Sequence, residues 1–193
     1  PQTFQAAANF FDLTDYLSGR ASGDSARSSC TVTCKWNYLA HEQRWDSDYF
    51  QAIGLPEFAQ EKFARIGQRI VEPGTPCGSG LTAQAAADFG LPTGTPVAAG
   101  LIDAHAGGVG TLGADGSPED KLAYAFGTSS RTLTPTREPA LVPCVSAPYY
   151  SAMEPASCLT AGRPRAAGPS THRLPVLHPT ASMAHPAADS AAP

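Results

Sequence analysis

The stretch Val97-Ala98-Ala99-Gly100-Leu101-Ile102-Asp103-Ala104-His105-Ala106-Gly107-Gly108-Val109-Gly110 constrains the fold more than any other, because it changes character at one residue. Val97 to Ile102 is a short apolar run behind the turn Pro92-Thr93-Gly94-Thr95-Pro96. It predicts a strand buried on both faces, and after Asp103 the chain becomes small and glycine-rich. Strands of this kind belong to open α/β sheets, where ligands collect at the carboxyl ends and small residues let a substrate approach the backbone. Asp103 therefore stands where a general base would serve, and equally where a carboxylate would cap a following helix by accepting N–H bonds near Ala106. Asp103 and His105, two apart on one strand, would also face the same side. They would offer a cation two ligands, fewer than the three or four that protein sites use.

Upstream, Phe10, Leu13 and Leu17 recur at helical spacing, widened by Phe11 and Tyr16, and Gly19 and Gly23 stop the pattern. Ser28 to Tyr38 is polar, with Lys35 beside Trp36; that lysine is either a solvated charge or a donor aimed into a cleft. Phe58, Phe63, Ile66 and Ile70 predict a second helix, broken by Glu72-Pro73-Gly74-Thr75-Pro76. A third runs from Thr82 to Phe89, capped by Thr82 and closed by Gly90.

Downstream, Leu112 to Lys121 carries Gly113, Gly116 and Pro118 among acidic residues and has the composition of a hinge. Leu122 to Phe126 and Arg131 to Thr134 predict two strands joined by Gly127-Thr128-Ser129-Ser130. That turn is a plain hairpin or a cradle for phosphate oxygens. From about Arg163 the chain is Ala, Pro and Ser with isolated His172, His178 and His185, a composition that predicts disorder with solvated imidazoles.

Composition narrows the partners. The net charge of −4 and the absence of a basic, aromatic-interleaved stripe argue against nucleic acid. No apolar run approaches the roughly 20 residues that span a bilayer, and Pro1 to Gln5 is not a signal peptide, so a soluble protein is expected. Five scattered cysteines suit reduced thiols in a cytoplasmic protein. Cys30 and Cys34 form a C-x3-C pair with no second pair at zinc spacing, so no metal site is expected there.

Several stretches, in order over roughly residues 4 to 155, resemble the FGGY carbohydrate kinases, in particular their pentulose kinase branch of ribulokinases and ribitol kinases. They are the run 10–17, the run 27–39, Arg65-Ile66-Gly67, Pro73-Gly74-Thr75, the run Gly100 to Gly107, the run Ala123 to Ser130 and the run Pro148 to Met153. The resemblance implies an α/β fold, the actin-like, ribonuclease H-like two-domain kinase fold, here incomplete in both domains. It assigns residues 1–113 to the sugar-binding domain, 114–121 to the hinge, 122–168 to the start of the ATP-binding domain and 169–193 to the tail. It implies ATP and Mg²⁺ as cofactors, a sugar or polyol substrate, and a possible homodimer of a full-length parent. By the same resemblance Asp103 is the general base, Lys35 a sugar-hydroxyl ligand, and Gly127, Thr128 and Ser129 the phosphate-binding turn.

The pattern also departs from that family. Its Asp-x-Gly-Thr phosphate loop and its adenine-binding half are absent, Thr160 to Pro164 replaces Asn-Glu-Gly-Gly-Gln, and Arg131 replaces a small residue. The expectation is an internal fragment of a pentulose kinase, the alternative a truncated relative without turnover.

Overall fold

A computed structural model describes residues 2–113, 117–126, 129–138, 140, 143, 146–150, 153 and 157–164. In chain order the helices and strands are α1 (Gln2–Ala6), α2 (Leu13–Ser22), β1 (Arg27–Ser28), α3 (Ser29–Trp36), β2 (Tyr38–Leu39), β3 (Arg44–Trp45), α4 (Ser47–Ala52) and α5 (Glu57–Gln60). They continue with β4 (Ile70–Val71), α6 (Ala83–Phe89), α7 (Asp103–Leu112), β5 (Ala123–Phe126), β6 (Ser129–Thr136), β7 (Ser146–Tyr150) and β8 (Ser157–Pro164).

The first part is held by aromatic packing more than by sheet. Phe50, Phe58 and Ile66 are buried and gather Phe4, Phe10, Trp36, Trp45 and Phe63 around them. Phe58 meets the rings of Phe4, Phe10, Trp36 and Phe50 nearly edge-on at 5.6 to 6.2 Å, geometry that the ring quadrupole favours. Arg65 seals the cluster: its guanidinium lies 4.9 Å from the Phe4 ring centre, bonds the Phe4 carbonyl at 2.9 Å and pairs with Glu61 at 2.8 Å.

This packing overrides two helical patterns. The pattern from Phe58 to Ile70 yields helix only over α5; Lys62 and Phe63 take left-handed φ values of 53° and 60°, turning Phe63 and Ile66 into the aromatic core. Ile70 instead enters β4, which pairs in parallel with β1, Arg27 opposite Ile70. The expected apolar face of α2 is likewise turned outward, with Leu13 70% and Leu17 57% exposed, while Asp15 on the opposite side is 3% exposed. Gly19 lies within α2, and Gly23 ends it in the left-handed conformation. Helix α6 agrees with its sequence: Thr82 accepts the Ala85 N–H at 3.2 Å and Gly90 closes it at φ 67°.

The run Val97 to Ile102 is extended without forming a sheet strand, which corrects the expectation of a doubly buried one. Ala98 makes only an isolated bridge to Pro76, and Ala98 is exposed where Ala99 is buried. Its partner is the loop around Thr75, which bonds Ala99 on both sides and continues with the Cys77 N–H to the Val97 carbonyl at 2.8 Å.

The second part is a four-stranded antiparallel sheet in the order β5-β6-β8-β7. Arg163 and Pro164 belong to β8, opposite Ser130 and Ser129, so the ordered chain extends past the point where composition alone predicts disorder; residues 165–193, with the three tail histidines, lie outside the described residues. Helix α7 lies on this sheet, its Gly108 facing Met153 and Leu133, within a core of Leu112, Ala123, Leu133, Met153 and Cys158. Of the expected hinge, residues 114–116 lie outside the described residues; Lys121 bridges back to the carbonyl of Leu112 at 2.7 Å. Among the described residues no helix is long and apolar enough to cross a membrane.

Candidate functional site

Helix α7 starts where the extended run ends. Ile102 holds the cap position in extended backbone and has no side-chain acceptor, so the Ala106 N–H goes to its carbonyl at 2.9 Å. Asp103, the first helical residue, is exposed; its Oδ1 accepts the N–H of Ala104 at 2.7 Å, and its Oδ2 has no partner among the described residues. The capping role expected toward Ala106 is therefore not the one it plays. A carboxylate here still lies in the favourable field of the helix start.

His105 follows two residues later, and on a helix two residues point in nearly opposite directions. It is 2% exposed while Asp103 faces solvent, so the two do not form the shared-face pair a strand would give. His105 meets α3 instead. Ser28 caps α3 by accepting the Cys30 N–H at 3.3 Å, and the four-residue spacing sets Cys30 and Cys34 on one face. Their Sγ atoms lie 3.5 and 3.9 Å from His105 Nδ1. The Cys34 thiol, hydrogen-bonded to Cys30, pushes the Cys30 thiol down against the effect of burial, with His105 adding to the shift; the same shared proton and burial push Cys34 up.

Lys35 sits on the last turn of α3, exposed and without an ion-pair partner among the described residues, so the geometry keeps its ammonium in solvent. The Cys34–His105 contact joins the last turn of α3 to the first turn of α7, but among the described residues no hydrogen bond or ion pair brings Lys35 to Asp103, which points away from α3. Gly127 and Thr128 lie outside the described residues; Ser129 opens β6, and the Phe126–Ser130 pairing holds the strand ends on either side.

Two supports fix this arrangement from below. Asp15 reaches from α2 to accept the Ser28 N–H at 2.9 Å and the Thr31 hydroxyl at 2.6 Å, so the start of α3 is tied to α2. Burial pushes its carboxyl up, and those two bonds and Arg27 only partly offset the rise. Arg27 is buried with its guanidinium 3.5 Å from the Phe11 ring centre, and Gly67 at φ 122° leaves room for it: a Cβ there would stand 2.5 Å from Arg27 Cγ.

Beside these groups a cleft of about 240 Å³ opens between the end of α3, β2 and β7, lined by Thr33, Asn37, Tyr38, His41, Tyr149 and Tyr150. Asp103 and Lys35 are not among its walls. The cleft and the Cys30–Cys34–His105 cluster were both missed from sequence. The cluster left one signal, the helical spacing of the two cysteines, but its third member lies 71 and 75 positions away in a segment that reads as strand.

No protein-family model matches the chain. An FGGY carbohydrate kinase domain-containing protein of Danio rerio is 49% identical over 172 residues, covering 84% of this chain and 31% of that protein. A D-ribulokinase of Saccharomyces cerevisiae is 32% identical over 170 residues, covering 72% of this chain and 24% of its own length. Among solved structures, the xylulose kinase of Rhodospirillum rubrum superposes with a TM-score of 0.65 at 20% identity, over 94% of this chain and 35% of that one. The chain thus spans about a third of the length of the first curated relatives it matches, and it carries part of the actin-like fold of sugar kinases.

Proposed function

Because the chain belongs to the FGGY carbohydrate kinase family, we propose that it takes part in ATP-dependent phosphorylation of a sugar hydroxyl, the acceptor being a pentulose or pentitol such as ribulose or ribitol. The observation that carries this reading is the Asp103 carboxylate: exposed, oriented through one oxygen by the Ala104 N–H, and with the other oxygen open. In that role Oδ2 takes the proton of the acceptor hydroxyl as the bond to phosphorus forms, the moment at which the hydroxyl acidifies.

Lys35, exposed on the last turn of α3, offers its ammonium to a sugar hydroxyl, the role that the family resemblance gives it. Residues 1–113 then form the sugar side, 114–121 the hinge, and the strands from residue 122 onward the nucleotide side. Gly127, Thr128 and Ser129 supply a glycine and two hydroxyls, donors suited to phosphate oxygens, in the segment between the paired Phe126 and Ser130. Bound ATP would supply the γ-phosphoryl group, with Mg²⁺ spreading its charge.

The test is an ADP-release assay on a full-length protein carrying this segment, offered ribulose, xylulose, ribitol and glycerol, beside its Asp103→Asn variant. Asn keeps the size and the hydrogen bond but takes no proton. Sugar affinity is expected to persist while kcat falls about 10²- to 10⁴-fold. Near-normal kcat in the variant removes Asp103 from the chemistry, and absence of turnover on every sugar by folded protein refutes the kinase reading. Sugar binding without any turnover would favour the alternative of an inactive relative.

A further inference from the structure

We propose that Cys30 Sγ, Cys34 Sγ and His105 Nδ1 form a binding site for a zinc-class divalent cation that ties α3 to α7. The three donor atoms all lie within 4.8 Å of one another. In a tetrahedral site with sulfur at about 2.3 Å and nitrogen at about 2.0 Å from zinc, ligand atoms stand roughly 3.6 Å (S to N) and roughly 3.8 Å (S to S) apart. The observed sulfur-to-nitrogen separations of 3.5 and 3.9 Å lie near that edge and the sulfurs lie within 4.8 Å of each other, so a cation would draw the two sulfurs together by up to about 1 Å. Thiolate and imidazole donors select zinc, or cobalt as its spectroscopic substitute, over magnesium or calcium.

Two sulfurs converge on Nδ1, which has one lone pair: as hydrogen bonds the cluster needs one thiol to turn to the other sulfur, whereas a cation takes all three donors at once. His105 is also 2% exposed with its Nε2 unpartnered among the described residues. Coordination through Nδ1 fixes the proton on Nε2 and leaves that buried N–H as it stands, so the site rests on the convergence of the three donors. Binding replaces the thiol protons, so Zn²⁺ entering two neutral thiols releases two protons to solvent and leaves a neutral dithiolate centre with no change of oxidation state. The fourth position stays open to a further donor; Cys158 is buried in the core cluster against which Cys34 packs. This inference is independent of the phosphoryl-transfer reading, since its readout is metal and not turnover.

The experiment uses the full 193-residue chain, reduced and stripped of metal with a chelator, then titrated with Co²⁺. The expected result is one equivalent bound, with a thiolate-to-cobalt charge-transfer band and the intense d–d bands of a tetrahedral site, both displaced by Zn²⁺. Cys34→Ser and His105→Gln should each weaken binding by more than about 100-fold, beyond what losing an outer-shell partner costs. Cys77→Ser, away from the cluster, should leave it unchanged. Free thiols with no charge-transfer band in wild-type protein overturn the site whether or not the variants fold. So does loss of two titratable thiols without bound metal, which would make Cys30 and Cys34 a disulfide.

Discussion

Two buried or half-buried carboxylates at the same end of the molecule respond to pH in opposite directions. Burial pushes Asp24 up, but the N–H groups of Ala26 and Gly78 and the Arg69 guanidinium at 2.6 Å more than offset it and hold it below its ordinary value. Its contribution to stability is present above about pH 3.9, the unfolded value, and is lost as pH falls through the lower folded one. Asp15 runs the other way: its raised carboxyl contributes most below about pH 3.9 and loses that contribution as pH rises through the folded value. Asp24→Asn should therefore flatten the acid-side fall of melting temperature. Asp15→Asn should flatten the decline on the other side, since an amide oxygen still accepts the Ser28 N–H and the Thr31 hydroxyl can reverse to accept. Melting curves from pH 3 to pH 7 (roughly the window set by these shifts) read both slopes, and an unaltered acid limb in Asp24→Asn contradicts the assignment.

At the scale of elements, α7 carries two glycines with opposite surroundings. A Cβ at Gly108 would stand 2.7 Å from Met153 Sδ and 3.4 Å from Leu133 Cδ1, whereas at Gly110 it would meet nothing within 4 Å. Gly110→Ala should stabilise by about 0.5–1 kcal/mol through helix propensity, and Gly108→Leu should destabilise by about 1–3 kcal/mol through overpacking against the sheet. Denaturant midpoints of the two variants check this; a stabilised Gly108→Leu would mean that α7 does not pack on β6. The same elements show what was legible. α6 was readable because Thr82 and Gly90 act locally, and β5 with β6 because Leu122 to Phe126 and Arg131 to Thr134 both carry strand composition, although Ser129 and Ser130, expected in the turn, already belong to β6. α2 was misread because its inward face is set by Asp15 bonding to α3, and α5 was over-extended because Lys62 and Phe63 leave the helix to serve the aromatic cluster. Asp103 was legible as a carboxylate at an element's edge, but the edge is the start of α7 and not the end of a buried strand, and the partners of His105 depend on contacts no local pattern records.

Across the whole molecule, apolar surface remains uncovered. Leu13, Tyr16 and Leu17 of α2 are 70%, 49% and 57% exposed, and the chain spans about a third of the length of its curated relatives. A contiguous face of this kind drives association in water. Sedimentation of the chain should show concentration-dependent self-association that Leu13→Glu with Leu17→Glu suppresses, with a change in stability of about 0.5 kcal/mol or less, as expected of exposed positions. A wild-type chain that stays monomeric at all concentrations would refute this. The contact between α3 and α7 closes a long loop. Cys30 and His105 are 75 positions apart, and holding the ends of such a loop together costs roughly 4 kcal/mol of chain entropy beyond a constant. A cation that stayed on those three donors after unfolding would work as a cross-link: it would confine the denatured ensemble over the whole span from α3 to α7, and the loop entropy already surrendered there would not be given up again on folding.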